Sequence, residues 1–375
     1  MIVVARLTAA AAVLATLALP VAAEEGDAPA PAPAIAFQPV VEHAVDAVIL
    51  PAYGTLAAAA TEEAGLVDTL CRNVDTPSLA AARAGFGSLV TAWSGVEMFR
   101  LGPARDDNRF ERLFFWPDPR GRGLQQVQGI LATADETATS VDSLRAKSVA
   151  VQGLLALEFV LYGTGSDTLA GPADPAETFR CRYGAAIARA VALTAEEILD
   201  GWTKAGGYAD LMRNAGDEDP VFRSHGEVVQ DLIKAAREQL QLVREQKLAQ
   251  SIGETPEKAQ PKRAPFWRSN LVLPAIAANL DAVVALVGPD GVGAVLPADA
   301  AWAAGQVAFE LGRVDAVLGR LAATGVPWET LPEEPKAHTD LAYTLIPLGD
   351  VAQLLETDYP NALGLITGFN SLDGD

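Results

Sequence analysis

Histidine is scarce in this chain. Only His43, His225 and His338 occur in 375 residues, far apart from one another. That excludes the usual histidine-rich zinc sites, and no His-Glu-x-x-His motif is present. There is no Gly-x-Ser-x-Gly nucleophile elbow, no P-loop and no dinucleotide glycine fingerprint, so the common hydrolase and nucleotide-binding classes fall away. Sustained β-alternation is missing throughout, which removes sheet-based folds. Basic residues are outnumbered, 28 Lys+Arg against 48 Asp+Glu, giving a net charge of −20. Such a surface repels nucleic acid and anionic membranes, so neither is expected as a partner. Aromatics are 6% of the chain, so the few places where they cluster stand out. What is abundant is apolar surface. Half of the residues are hydrophobic, enough for a sizeable core, and the length suits two domains better than one.

The N-terminus reads as a secretory signal peptide over residues 1–23. Arg6 supplies the positive charge, Leu7 to Leu19 the apolar core, and Val21-Ala22-Ala23 the small-residue cleavage site. No cysteine lies near that site to carry a lipid anchor, so the expected location is the periplasm. Residues 24–36 are Ala/Pro-rich and read as an extended spacer. Cys71 and Cys181 are the only cysteines. In an exported chain a lone pair reads as one disulfide joining the two halves; the alternative is two free buried thiols.

Beyond the spacer the pattern is helical almost everywhere. Segments at about 39–71 (with Pro51 as a kink), 75–100, 121–135 and 141–162 make up an N-terminal helical bundle over 37–165. Segments near 175–204, 221–250, 269–287, 298–323 and 338–357 make up a C-terminal bundle over 174–375. The expected architecture is all-α, two packed helical-bundle halves of up-and-down helices, with no transmembrane segment in the mature chain. The polar, Pro-containing stretch 251–265 reads as an exposed loop.

Two carboxylates sit in apolar helical surroundings. Glu158 lies in the run Val151–Tyr162, apolar all round, where an unpaired charge is costly. It must be neutral, paired with an Arg, or bound to a cation. Glu97 shares a helical face with Trp93 and has Arg100 three residues on, so an intrahelical ion pair is one reading and a site residue the other. The stretch 109–118 mixes Arg109, Trp116 and Asp118 with phenylalanines; it either walls a cleft or plugs a bundle end. The expected cleft residues are thus Trp93, Glu97, Arg100, Arg109, Trp116, Asp118 and Glu158, with Glu158 beside Glu97. Glu97 and Glu158 are the candidate metal ligands.

At these stretches the sequence resembles the imelysin-like family of exported bacterial proteins. The resemblance rests on AWSGVEMFRLGP at 92–103, FFWPDP at 114–119, VQGLLALEFVLYG at 151–163, Arg180-Cys181-Arg182 and GFNSLDGD at 368–375. It implies two helical bundles with a site in the cleft between them, and an envelope role tied to iron uptake, with an uptake partner in the envelope. The family signature Gly-x-His-x-x-Glu implies a metal site; here Gly153 and Glu158 match it while Leu155 takes the histidine position. Leucine cannot ligate a metal, so imelysin-type peptidase activity is not expected. If a cation binds, the two remaining oxygen ligands suit iron or another hard divalent ion better than zinc. The expected function is therefore a non-enzymatic binding component of iron or metal uptake. The alternatives are an envelope scaffold with a lost metal site and, less favoured, a degenerate metallopeptidase.

Overall fold

Eight long helices carry the structure, a computed structural model that describes residues 35–171 and 175–365, without the side chains of 175–177. The leader, nearly all of the spacer and the GFNSLDGD segment lie outside the described residues. Helix α1 is Gln38–Arg72, α2 Thr76–Val96, α3 Leu154–Tyr162 and α4 Pro175–Thr203. Helix α5 covers 225–252, α6 is Val272–Val287, α7 Trp302–Ala322 and α8 Pro335–Gln353. Among the described residues there is no strand. From Ala36 onward the chain forms one compact unit.

Helix α1 packs along both α2 and α4, and α5 to α8 form a second group. The α2–α6 contact joins the groups. Helix α4 packs on α1, across the 165–174 division expected from sequence. The Cys71–Cys181 disulfide therefore staples two neighbouring helices, α1 and α4. By length and composition α1 and the 272–295 segment would span a membrane, yet both pack against other helices of the body, as core helices do.

Local chemistry sets the helix boundaries. Asp75 accepts the Ser78 amide at 2.8 Å and Pro77 sits in the first turn, fixing the start of α2. The helix does not break at Pro51. This proline follows a π-helical turn, Ala44–Ile49, and lies near the start of the regular stretch that resumes at Leu50. The single helix expected over 141–162 is broken. Gly153 has φ +128°, and a Cβ there would clash with the carbonyls of Arg112 and Leu113, so the chain turns at Gly153 and α3 starts afresh. The stretch 251–265 is not simply an exposed loop. Pro261 and Ala264 are buried, and Trp328 Nε1 donates to the Pro261 carbonyl at 2.9 Å.

Arg180 explains much of the Arg-Cys-Arg segment. Its guanidinium donates to the carbonyls of Phe159 (2.7 Å), Val160 (2.9 Å) and Thr164 (3.0 Å). A positive charge thus closes the C-terminal end of α3, where the orphan carbonyls and the helix dipole favour it. Beside it Tyr183 donates to the Val151 carbonyl at 2.6 Å. Helix α4 is in this way the clamp that sets α3 in place.

One buried group has no such partner. Glu63 on α1 is fully buried against Gly85 of α2, and neither carboxyl oxygen makes a hydrogen bond. Burial, aided by the neighbouring Glu62 charge, pushes its pKa up to about 9. The folded state then holds a proton that the unfolded chain releases above the ordinary glutamate value of 4.5. Stability falls as pH rises from about 4.5 towards about 9, and levels off above. Glu63→Gln removes this dependence. Thermal melts should show the variant gaining on the parent at pH 8 and matching it near pH 4; an equal offset at both pH values would contradict the assignment.

Candidate functional site

A cavity of about 800 Å³ opens beside α3. Its floor includes Leu155, Ala156, Glu158 and Phe159 of α3; one wall is Phe115 to Pro119, and the opposite wall is the segment Pro261 to Arg268. Glu158 is 1% exposed. Its Oε1 accepts the Ser269 amide at 3.0 Å and the Ser269 hydroxyl at 2.8 Å. Its Oε2 makes no hydrogen bond, and the Arg268 guanidinium stands 4.0 Å away. Burial pushes the Glu158 carboxyl above the ordinary range; the Ser269 donors and Arg268 pull the other way. Arg268 lies 4.4 Å over the Trp267 ring and 5.4 Å over the Phe159 ring, so it is held by aromatic faces rather than by a tight ion pair.

The 261–271 wall is held rigidly. Phe266 adopts φ +61° and Asn270 φ +59°, conformations that non-glycine residues take only when their surroundings compel them. The Phe266 ring is wedged against Phe114 (5.4 Å) and Phe86 (6.3 Å). Its carbonyl accepts the Leu271 amide at 3.0 Å. Asn270 Oδ1 accepts the Trp328 amide at 2.7 Å. These bonds set Ser269 against Glu158.

The structure sorts the expected site residues into three places. Trp116, Asp118 and Glu158 line the cavity. Trp116 Nε1 donates to the Arg263 carbonyl at 3.2 Å, tying the two walls together. Asp118 accepts the amides of Arg122 and Gly123, starting the short helix 122–133. Gly153 and Trp93 stand behind the cavity. Gly153 makes the turn into α3, and Trp93 packs on Phe110 and Phe114 at 5.0 and 5.6 Å. Glu97, Arg100 and Arg109 are engaged elsewhere. Arg109 pairs with Asp106, Asp107 and Glu197. Arg100 lies over the Phe110 ring at 4.4 Å, not in an ion pair with Glu97.

Glu97 does not join Glu158. It is fully buried where α2 meets the second helix group, and its Oε2 takes three donors: Lys247 Nζ at 2.5 Å, Asn279 Nδ2 at 2.9 Å and Gln239 Nε2 at 3.3 Å. Lys247 also donates to Asn279 Oδ1 at 2.8 Å. Burial lowers the Lys247 pKa, and the Glu97 charge opposes that. This is a structural ion pair. A metal does not fit the pair of ligands expected from sequence, because Glu97 is spent on Lys247 and Leu155 stands on the cavity lining in place of the motif histidine. Among the described residues no three His, Cys, Asp or Glu side chains gather closely enough to hold an ion.

Sequence reasoning missed the opposite wall: Lys262, Arg263, Phe266, Trp267, Arg268 and Ser269. The signal was present in FWRS at 266–269, which places two aromatics and an Arg at the end of a polar stretch.

These features define an all-helical protein with an aromatic-walled cavity around one buried carboxylate. The imelysin (peptidase M75) family model matches residues 49–349, and the chain belongs to the imelysin family. Among solved structures it is similar to an imelysin-like protein from Psychrobacter arcticum 273-4, at 18% identity and a TM-score of 0.72, over 90% of this chain and 100% of that one. It is also similar to a protein described as an iron-regulated protein A precursor from Parabacteroides distasonis ATCC 8503, at 15% identity and a TM-score of 0.68, over 87% of this chain and 98% of that one. Both likenesses are of fold. No curated protein sequence matches the chain.

Breaking a buried pair from one side strands the other charge. Lys247→Met should cost about 3–5 kcal/mol in urea unfolding, and Lys247→Met combined with Glu97→Leu should recover most of that loss. A single-variant cost near zero would mean that the pair is solvated.

Proposed function

We propose that this chain is an exported, non-enzymatic binding component of the bacterial envelope, linked to iron or metal uptake, with the cavity around Glu158 as its binding site. The observation that carries this reading is the cavity itself. Its volume, about 800 Å³, falls in the range of small-molecule sites, and aromatic walls surround a buried polar group. The leader expected over residues 1–23 supports export. Membership of the imelysin family and the likeness to an iron-regulated protein support the tie to iron. An envelope scaffold with a lost metal site is the second reading. It is favoured by Glu97 being taken up by Lys247, but it leaves the cavity unexplained.

Peptidase chemistry finds little here. A hydrolytic metal centre takes three protein ligands and a water, and the one recognisable element offers Glu158 with Leu155 beside it. Periplasmic extracts of iron-starved and iron-replete cells provide the test. The chain should appear in processed form beginning at Glu24, several-fold more abundant under starvation. The purified protein should leave unfolded casein intact and melt at the same temperature with or without ferrous iron, manganese or zinc. Retention in the cytoplasm, indifference to iron, or casein cleavage abolished by a chelator and by Glu158→Gln would contradict the proposal.

A further inference from the structure

The ligand class follows from how the cavity's charges and hydrogen bonds balance, and the inference rests on the binding role proposed above. Phe115, Trp116, Phe159 and Trp267 bring aromatic side chains to the lining. Planar apolar walls of this kind favour a planar apolar body, through burial and ring stacking. The charged lining groups nearly cancel. Lys262 pairs with Glu329 at 2.8 Å and Arg268 stands against Glu158; with Arg263, Asp118 and Glu333 the lining holds three cations and four carboxyls, which leaves no strong net field to select a charged ligand.

One polar demand is left open. Glu158 Oε2 is buried and accepts no hydrogen bond, whereas Oε1 is saturated by Ser269. A buried acceptor without a donor is costly. The Arg268 guanidinium does not supply the donor. At 4.0 Å it is beyond hydrogen-bond reach, and it lies over the Phe159 and Trp267 rings.

We propose that the cavity binds a neutral aromatic small molecule through an N–H or O–H group that donates to Glu158 Oε2, with the ring body held among Trp116, Phe159 and Trp267. Leu155 belongs to this arrangement. An imidazole at that position would add a polar group to the floor; the leucine extends the apolar surface on which the ring rests.

Four naphthalene probes of similar size separate the possibilities. They are 2-naphthol (neutral donor), 2-methoxynaphthalene (no donor), 2-naphthoate (anion) and 2-naphthylmethylamine (cation). Affinities are measured by equilibrium dialysis against the purified mature protein. 2-Naphthol should bind about tenfold or more tightly than 2-methoxynaphthalene, the scale of one hydrogen bond to a buried carboxylate. Glu158→Gln should erase that preference. With Oε1 still accepting from Ser269, the side-chain amide points its own N–H₂ where the naphthol hydroxyl must donate. Leu155→Trp, which fills the floor, should abolish binding of both probes while circular dichroism stays unchanged. Equal binding of 2-naphthol and 2-methoxynaphthalene, or a preference that survives Glu158→Gln, would overturn the donor role and leave the cavity as a binding site. Tightest binding of the naphthoate or of the amine would overturn the neutral class. Failure of all four probes would overturn both this inference and the binding role beneath it.

Discussion

The Glu97–Lys247 ion pair is the constraint on which the arrangement of this protein depends. Both side chains are removed from water, and an ion pair in that setting repays its desolvation only with good geometry and added hydrogen bonds. The surroundings supply them. Asn279 bridges carboxylate and ammonium, and it also donates to the Ser94 carbonyl at 2.7 Å, so α2, α5 and α6 meet at one point. Lys247 lies in a π-helical turn, Leu242–Ala249, a widened turn of the kind that helices keep at sites under special demand. The cavity walls hang from the same joint. Gln250, just beyond Lys247, lines the cavity, and Ser269 comes just before α6. A shift at the pair would move both against α3.

The two carboxylates have opposite fates for physical reasons that the surrounding residues make plain. Glu97 meets an ammonium and two amides, all donating to its Oε2. Glu158 meets one serine and a distant guanidinium; in each residue one carboxyl oxygen makes no hydrogen bond, but of the two only Glu158 lies on the cavity lining. An unpartnered buried carboxyl oxygen on a residue that lines a cavity is a candidate contact for a ligand. The scaffold keeps this group in place from behind: Arg180 closes α3, the disulfide fixes α4 beside α1, and Gly153 admits the tight turn ahead of α3.

Much of this was legible in the sequence, and the limits were specific. The helical pattern, the Asp75-Thr76-Pro77 start and the cysteine pair all rest on local signals, and the structure agrees with them. Burial of Glu158 followed from its all-apolar helix. Its partners did not, because Ser269 lies 111 positions away and nothing local announces it. Glu97 looked like an intrahelical partner of Arg100, but spacing does not reveal that Arg100 turns to Phe110 or that Lys247 arrives from 150 positions away. The break at Gly153 hid inside a strongly apolar run, where periodicity carries no phase. The stretch 251–265 was misjudged because its prolines and charges mark a loop, while its burial comes from Trp328 and from the phenylalanines it packs on.

The central claim is that Glu97 builds the fold and Glu158 is reserved for a ligand. Urea unfolding of Glu97→Gln and Glu158→Gln, measured side by side, tests it most directly. The account predicts a large loss for Glu97→Gln, on the order of 3–5 kcal/mol, because Lys247 is left buried without its counter-charge. It predicts little change for Glu158→Gln, whose amide oxygen still accepts from Ser269. Comparable losses in the two variants, or a larger loss at Glu158, would contradict it.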